Sequence, residues 1–475
     1  MHVPLVVLGG GPGGYAAAFL AADLGMQVTL VDRDERLGGT CLLRGCIPSK
    51  ALLHVGRVLA ECRELEDWGV HLARPKIDLA ALRARKDKVI AALTGGLATL
   101  ARRRNVTIIR GTARFTNSST LEIAAAEPGG GSQTLTFDHC ILASGSRPAR
   151  IPAFDIGSPL VMDSTGALEL ADVPKSLLVV GGGYIGLEMG TVYAELGSKV
   201  SVVELTDGLL PGADRDLVKP LQQRLEKLFE KIMLRTKVVG LEDAGGAVRV
   251  RFEGPDGPSD REFSRVLVAV GRRPNSDGIG LENTGVKIDP RGFVEVDGQQ
   301  RTADPRILAI GDVCGEPMLA HRASHQGKVA VEALHGEAAL FAPRAIPAVV
   351  FTDPEIAWAG LTEQDAAAAG RTVEVSRYPW AASGRAHALG RTDGLTKILV
   401  DPESDTVLGV GIVGPGAGEL IAEGVLAIEM GCSARDLAEA IHPHPTLGET
   451  LAFSAESYFG LATEIYRPRA ESPAR

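Results

Sequence analysis

Apolar positions in this chain gather into short runs closed by glycines, and two of these runs are near copies. VPLVVL leads into GGGPGG, a helical stretch of small residues, and VTLVD; from Leu178, LVV leads into GGGYIG, a second such helix, and SVVE. Short apolar runs bounded by turn signals predict buried strands, and the longer stretches between them predict helices. Each copy therefore reads as a strand, a glycine turn, a helix and a second strand ending in an acid, the βαβ unit that binds a dinucleotide. Two copies imply two dinucleotides. Glycine-rich breaks at EPGGGS (Glu127 to Ser132) and GPDGPSD (Gly254 to Asp260) predict hairpin loops between alternating strands.

Further along, ILASGSRPARIP carries an apolar run into a proline-rich exit near Arg150, and VLVAVGRRPN closes the second unit near Asn275. TADPRILAIGDVCG predicts another strand, ending at Gly311-Asp312. From about Ile346 the runs KILV and VLGVGIVG alternate with the helical GELIAEGVLAIEMG, which suggests an α+β domain. The expected fold is α/β: two Rossmann-like dinucleotide-binding domains plus a C-terminal α+β dimerisation domain, divided at 1–149, 150–276, 277–345 and 346–475. The tail RPRAESPAR is expected to be mobile.

Composition narrows this picture. A chain of 475 residues needs more than one core. Only 4% of residues are aromatic while 57 are glycine, a profile that suits glycine-turned α/β layers. A net charge of −9 offers no basic footprint for nucleic acid. Each apolar run is broken by glycine or a charge before the roughly 20 residues of a membrane span. The N-terminus enters a strand at once, without a cationic region or a small-residue cleavage site, so a cytoplasmic location is expected. In that compartment the six cysteines are not a structural disulfide framework. Cys62, Cys140, Cys314 and Cys432 are scattered and read as ordinary thiols.

Cys41 and Cys46, in GGTCLLRGCIPSK, are different: they lie just past the first βαβ unit with four residues between them. A thiol pair beside a bound dinucleotide points to electrons moving between a disulfide and that cofactor. Five helical steps span about 7.5 Å, and a disulfide needs Cα atoms within about 6.8 Å. The chain between the two cysteines must therefore turn irregularly, and Gly45 and Pro48 favour that.

The first fingerprint is Gly9-x-Gly11-x-x-Gly14 with Asp32 as its acid; the second is Gly181-x-Gly183-x-x-Gly186 with Glu204. The glycines allow a tight turn and close approach to pyrophosphate, and the acid accepts from a ribose hydroxyl. A carboxylate at position 204 also repels a 2′-phosphate, which favours NAD over NADP. Near the end, HPHPTLGE stiffens the backbone around His442 and His444. An imidazole can take and return a thiol proton near neutral pH. His444 is the candidate base and Glu449 its candidate orienting acid; Thr446-x-x-Glu449 also has the form of a capping box, the lesser reading of that acid.

Taken together, GGTC…GCIPSK, GGGYIGLE, AIGD, MLAHRASHQG and HPHPTLGE resemble the flavin-dependent pyridine nucleotide–disulfide oxidoreductases, roughly from Val3 to Glu464. The later segments FTDPEIAWAGLTE and PWAASGRA are similar to the bacterial branch acting on lipoamide. The resemblance implies FAD on the segments 1–149 and 277–345, NAD on 150–276, and a dimer interface on 346–475. It implies FAD contacts at Gly9, Gly11, Gly14, Asp32, Ala113, Ser144, Gly145, Asp312 and Ala320, with Lys50 and Glu188 paired near the flavin ring. NAD contacts would include Gly181, Gly183, Ile185, Gly186, Glu204, Val238 and Gly271.

The resemblance also implies an obligate homodimer in which His444 and Glu449 of one chain serve Cys41 and Cys46 of the other. Its substrate would be dihydrolipoamide carried on another protein: the lipoyl-bearing acyltransferase core of a 2-oxo acid dehydrogenase complex, or a lipoyl carrier protein. Departures from the family pattern are Leu43 for Asn, Asp32 for Glu, ASGS for ATGS and Gln326 for Glu. Two alternatives stay open. One is a related reductase of glutathione or another disulfide, against which Glu204 and the CIPSK ending argue. The other is a non-catalytic flavoprotein scaffold, which would need neither the thiols nor the base.

Overall fold

The computed structural model describes residues 1–126 and 129–466. The RPRAESPAR tail, and Glu127 and Pro128 of the first glycine-rich break, lie outside the described residues. The chain forms two compact units. One comprises Met1–Pro174, Gly240–Arg249 and Glu262–Ala342; the other comprises Lys175–Val239, Val250–Arg261 and Pro343–Arg475.

The first unit is built on parallel strands in the spatial order Ile307–Ala309, Ser132–Leu142, His2–Leu8, Val28–Asp32 and Thr107–Asn117. Their near-continuous apolar character follows from being covered on both faces. Thr107–Asn117 and Ser132–Leu142 run eleven residues each, and their far halves flank Thr120–Ala125 in an antiparallel meander. One face is covered by the helix Pro12–Asp23, which packs closely on the helix Ala320–His335. Small residues make that contact possible: a Cβ on Gly327 would lie 2.7 Å from Gly13 O, and one on Gly13 would lie 3.1 Å from Ala323 O.

In the second unit Lys199–Val203 lies between Ser176–Val180 and Lys231–Met233, all parallel. The helix Tyr184–Glu195 connects the first two of these strands, as Pro12–Asp23 does in the other unit. The same unit holds a five-stranded antiparallel sheet, ordered Ala348–Val350, Ile356–Gly360, Val407–Val413, Leu395–Val400 and Glu374–Pro379. Its core includes the fully buried Trp380, whose indole donates to Thr396 Oγ1 at 2.9 Å. The turn Pro255-Asp256 joins the strands Val248–Gly254 and Gly257–Phe263, so most of the GPDGPSD segment is strand and only its middle turns. Among the described residues no helix is long and apolar enough to cross a membrane.

Candidate active site

Both glycine turns are held by the same device. Gly9 takes φ +114° and donates to Val31 O at 2.8 Å; Gly181 takes φ +109° and donates to Val203 O at 2.9 Å. A Cβ on Gly14 would lie 1.8 Å from Gly9 O, and one on Gly186 would lie 2.2 Å from Gly181 O, so the third glycine of each motif seats the helix against its own turn. Both acids reach back to the middle glycine of the turn. Asp32 accepts from Gly10 N and, at 2.9 Å, from Asp34 N. Glu204 accepts from Gly182 N at 2.7 Å, Thr206 N at 2.8 Å and Thr206 Oγ1 at 2.9 Å. Burial pushes the Asp32 carboxyl above its ordinary range, against the pull of the Asp34 and Gly10 N–H groups.

The cysteines sit where two helices meet. Gly39–Arg44 ends at Gly45, and Cys46–Glu64 begins one residue later. A side chain at 45 would place Cβ 2.7 Å from Thr40 O, so glycine permits the tight break between the thiols. Cys41 and Cys46 are within hydrogen-bonding reach of each other. That bond, then burial, then the charge of Cys46 push the Cys41 thiol far up, while Lys50 pulls it down and Asp312 adds to the rise. Lys50 and Asp312 are thus the charged groups facing the pair. Tyr15 faces it as well, its hydroxyl pushed up by burial and then by Cys41 and Cys46. Nothing in the sequence pattern singled out Tyr15.

The cradle around the first turn fits a dinucleotide. Ser144 Oγ is buried without a hydrogen-bond partner among the described residues, and Gly145 takes φ +71° with open space on its Cβ side. A polar atom withdrawn from water needs a partner, which a bound FAD would supply. Asp312 accepts from Ser146 Oγ, and Arg272 bonds Ser146 through its hydroxyl and carbonyl, both at 2.8 Å. Ser146 and Arg272 therefore brace the acid expected at the ribityl chain, and neither carries a sequence motif that marks it. The Gly311 N–H donates to Gln326 Oε1 at 2.8 Å, so the amide at the position where the family carries Glu still holds this turn. Ala113 is buried in its strand, and Ala320 opens its helix half-buried.

In the second unit Gly183 caps the helix Tyr184–Glu195, Ile185 lies half-buried in its first turn, and Val238 is buried. Glu188 is also buried and accepts from Phe351 N at 3.1 Å. Gly271, in the first unit, takes φ +111° with open space on its Cβ side.

His444 and Glu449 do meet. His444 Nδ1 lies 2.8 Å from one Glu449 oxygen, and Thr446 N donates to the other at 2.6 Å. The helix Glu449–Tyr458 starts at this acid, so Glu449 serves the imidazole and the backbone together. The His444 side chain is 80% exposed and that of Glu449 only 11%: the imidazole is presented outward on a fixed carboxylate. His442 is occupied elsewhere, between Ala440 O and Glu423, at 2.8 Å and 2.7 Å.

Fold and site together present two glycine turns of the same build, a close thiol pair and an outward-facing imidazole held by a carboxylate. The chain belongs to the pyridine nucleotide-disulphide oxidoreductases, whose family model matches residues 3–327 and whose dimerisation-domain model matches residues 346–455. As a member of this family it is an FAD- and NAD-dependent enzyme and a homodimer. It is 48% identical over 467 residues to the dihydrolipoyl dehydrogenase of Vibrio parahaemolyticus, with 98% of each chain covered. Among solved structures, LpdA from Mycobacterium tuberculosis superposes with a TM-score of 0.88 at 28% identity, over 96% of this chain and 99% of its own. The copper(II) complex of the HOCl-induced flavoprotein disulfide reductase RclA from Escherichia coli gives 0.86 at 27% identity, over 96% and 99%.

Proposed function

We propose that this chain is a dihydrolipoyl dehydrogenase, oxidising protein-bound dihydrolipoamide to lipoamide while NAD is reduced to NADH. The observation that carries the reading is the Cys41–Cys46 pair, closed by the Gly45 break and faced by Lys50 and Asp312 beside the first glycine turn. Near-full-length identity to dihydrolipoyl dehydrogenases supports the choice of substrate.

The chain's own groups divide the work. His444 Nε2, with Nδ1 tied to Glu449, takes the proton from one substrate thiol. The resulting thiolate attacks Cys41 Sγ; the Cys41–Cys46 bond breaks, and Cys46 leaves as a thiolate. The second substrate thiol then attacks the substrate sulfur of the mixed disulfide, and its proton passes to the departing Cys41 sulfur, which releases cyclic lipoamide and leaves a Cys41 thiol, a Cys46 thiolate and the first proton on His444. Lys50 offsets negative charge at the pair. Gly9, Gly11, Gly14, Asp32, Ser144, Gly145, Asp312 and Ala320 would hold FAD, which when bound would supply two-electron chemistry between the Cys46 side of the pair and NAD. Glu204, with Gly181, Gly183, Gly186, Val238 and Gly271, selects NAD as the acceptor.

The outward-facing imidazole suits a shared site in which His444 of one chain serves the thiols of the other. The lipoyl group arrives on an acyltransferase core of a 2-oxo acid dehydrogenase complex or on a lipoyl carrier protein, in the cytoplasm. The test is NADH formation from dihydrolipoamide and NAD by the flavin-loaded protein. Absence of turnover with FAD fully bound would overturn the assignment. The likeness to RclA favours, as second reading, reduction of another disulfide with NADH; faster turnover with such a disulfide than with lipoamide would select it.

A further inference from the structure

The acid of the second fingerprint begins a loop that folds back over its own glycine turn. Leu210 N donates to Gly182 O at 3.0 Å, and Leu209 packs so closely that a Cβ on Gly182 would lie 2.7 Å from its Cδ2. Leu210 takes φ +48°, a left-handed conformation that a leucine keeps only where its surroundings over-determine it. The guanidinium of Arg215 does this by gathering three loop carbonyls: Leu209 at 2.7 Å, Leu210 at 2.5 Å, and Ala213.

The far end of the loop is anchored in the antiparallel half of the same unit. Asp214, buried, accepts from Glu363 N at 3.0 Å and Gln364 N at 3.3 Å, and Gln364 Nε2 donates to Ala213 O at 3.0 Å. Lys397 is 1% exposed, and its ammonium is spent on Asp214 at 2.8 Å, Asp216 at 2.7 Å and Glu363 at 2.6 Å. Arg377 adds bonds to Asp216, at 2.7 Å, and to Glu363. Three carboxylates at this spacing have the make-up of a cation site, and the lysine ammonium fills it. No step of the reaction uses this cluster. A buried ammonium bonded to three acids has little freedom to shift, because losing any one partner leaves an uncompensated charge.

We infer that Lys397 and Arg215 are positioning residues for the NAD pocket. Lys397 fixes where the 205–214 loop ends and Arg215 fixes its shape. The loop in turn holds Gly182, and through it Glu204, in the geometry that accepts the adenosine ribose. The inference rests on the proposed role of Glu204 and deepens it.

Arg215→Gln keeps a polar side chain at an exposed position; Lys397→Met removes the buried cation. Both enzymes should show a KM for NAD and an NADH dissociation constant raised about tenfold, the worth of one charge-assisted hydrogen bond. Their kcat and their anaerobic flavin reduction by dihydrolipoamide should stay as in the parent. Arg215→Lys, able to reach some of the same carbonyls, should recover part of the loss. Should Lys397→Met fail to fold, Arg215→Gln decides alone. Unchanged NAD affinity in Arg215→Gln, or equal losses in both half-reactions, overturns the inference. Glu204→Ala separates the two ideas. If it keeps its NAD affinity while Arg215→Gln loses affinity, the ribose reading falls and the positioning stands; the reverse pattern removes the positioning.

Discussion

Replacing Glu449 by glutamine changes one atom and asks whether the acid orients the base. The carboxylate meets two donors, His444 Nδ1–H at 2.8 Å and Thr446 N–H at 2.6 Å, one on each oxygen. Glutamine offers a single acceptor oxygen. The backbone N–H of Thr446 cannot turn away, since Thr446 is also tied through Oγ1 to Pro443 O at 2.8 Å. The amide oxygen therefore stays with the backbone and the NH2 faces the imidazole. His444 Nδ1 must then accept, which moves the ring hydrogen to Nε2, the atom that has to take the thiol proton. Losing one charge-assisted hydrogen bond costs about 1.5–3 kcal/mol, or roughly 10- to 150-fold in rate, and the wrong tautomer adds to that. NAD reduction by dihydrolipoamide should fall at least about tenfold. Electron transfer from NADH to a dye, which needs no thiol deprotonation, should hold. A drop in the first assay below about threefold, with flavin content intact, would refute the orienting role; so would an equal drop in both.

Cys41→Ser should abolish dihydrolipoamide oxidation yet leave a Cys46 thiolate beside bound FAD, visible as long-wavelength charge-transfer absorbance; if Cys46→Ser shows that band instead, the two cysteine roles are exchanged. Gly14→Ala forces a Cβ to within 1.8 Å of Gly9 O, so the helix must back away from its turn, and the protein should purify with much of its FAD missing; full flavin occupancy would mean the turn yields more easily than its packing indicates. Burial raises the Asp216 carboxyl, but the bonds and charges of Lys397 and Arg377 outweigh it and hold the group below its usual range. Its contribution to stability is present above the unfolded carboxylate range near about pH 4 and is lost as pH falls through the lowered folded value. The melting temperature should therefore fall more steeply in acid for the parent than for Asp216→Asn, and parallel curves would show that this carboxylate is not a source of acid sensitivity.

What could be read from the chain and what could not differ in a physical way. The glycine turns are legible because their causes are local: positive φ at Gly9 and Gly181, and the near contact of Gly14 with Gly9 O, involve residues at most five apart. The break at Gly45 is legible for the same reason, since helix geometry and disulfide reach are both short-range constraints. The bracing groups are not. Ser146 and Arg272 are 126 residues apart, and Ser146 and Asp312 are 166 apart. Asp216 and Lys397 are 181 apart. No spacing rule connects such positions, because the sheet order and the helix packing bring them together. The Lys397 cluster shows how much follows from such a pairing. The helix Arg215–Leu228 lies so close to the strand Val407–Val413 that a Cβ on Gly411 would stand 2.6 Å from Leu217 Cδ1. Lys397 is the third residue of the strand Leu395–Val400, LTKILV, and a lysine there would be read from sequence as a solvent-facing interruption; here it is closed in by acids from two other segments. A charge inside an apolar run here marks a place where distant segments meet, and that place adjoins the loop that follows Glu204.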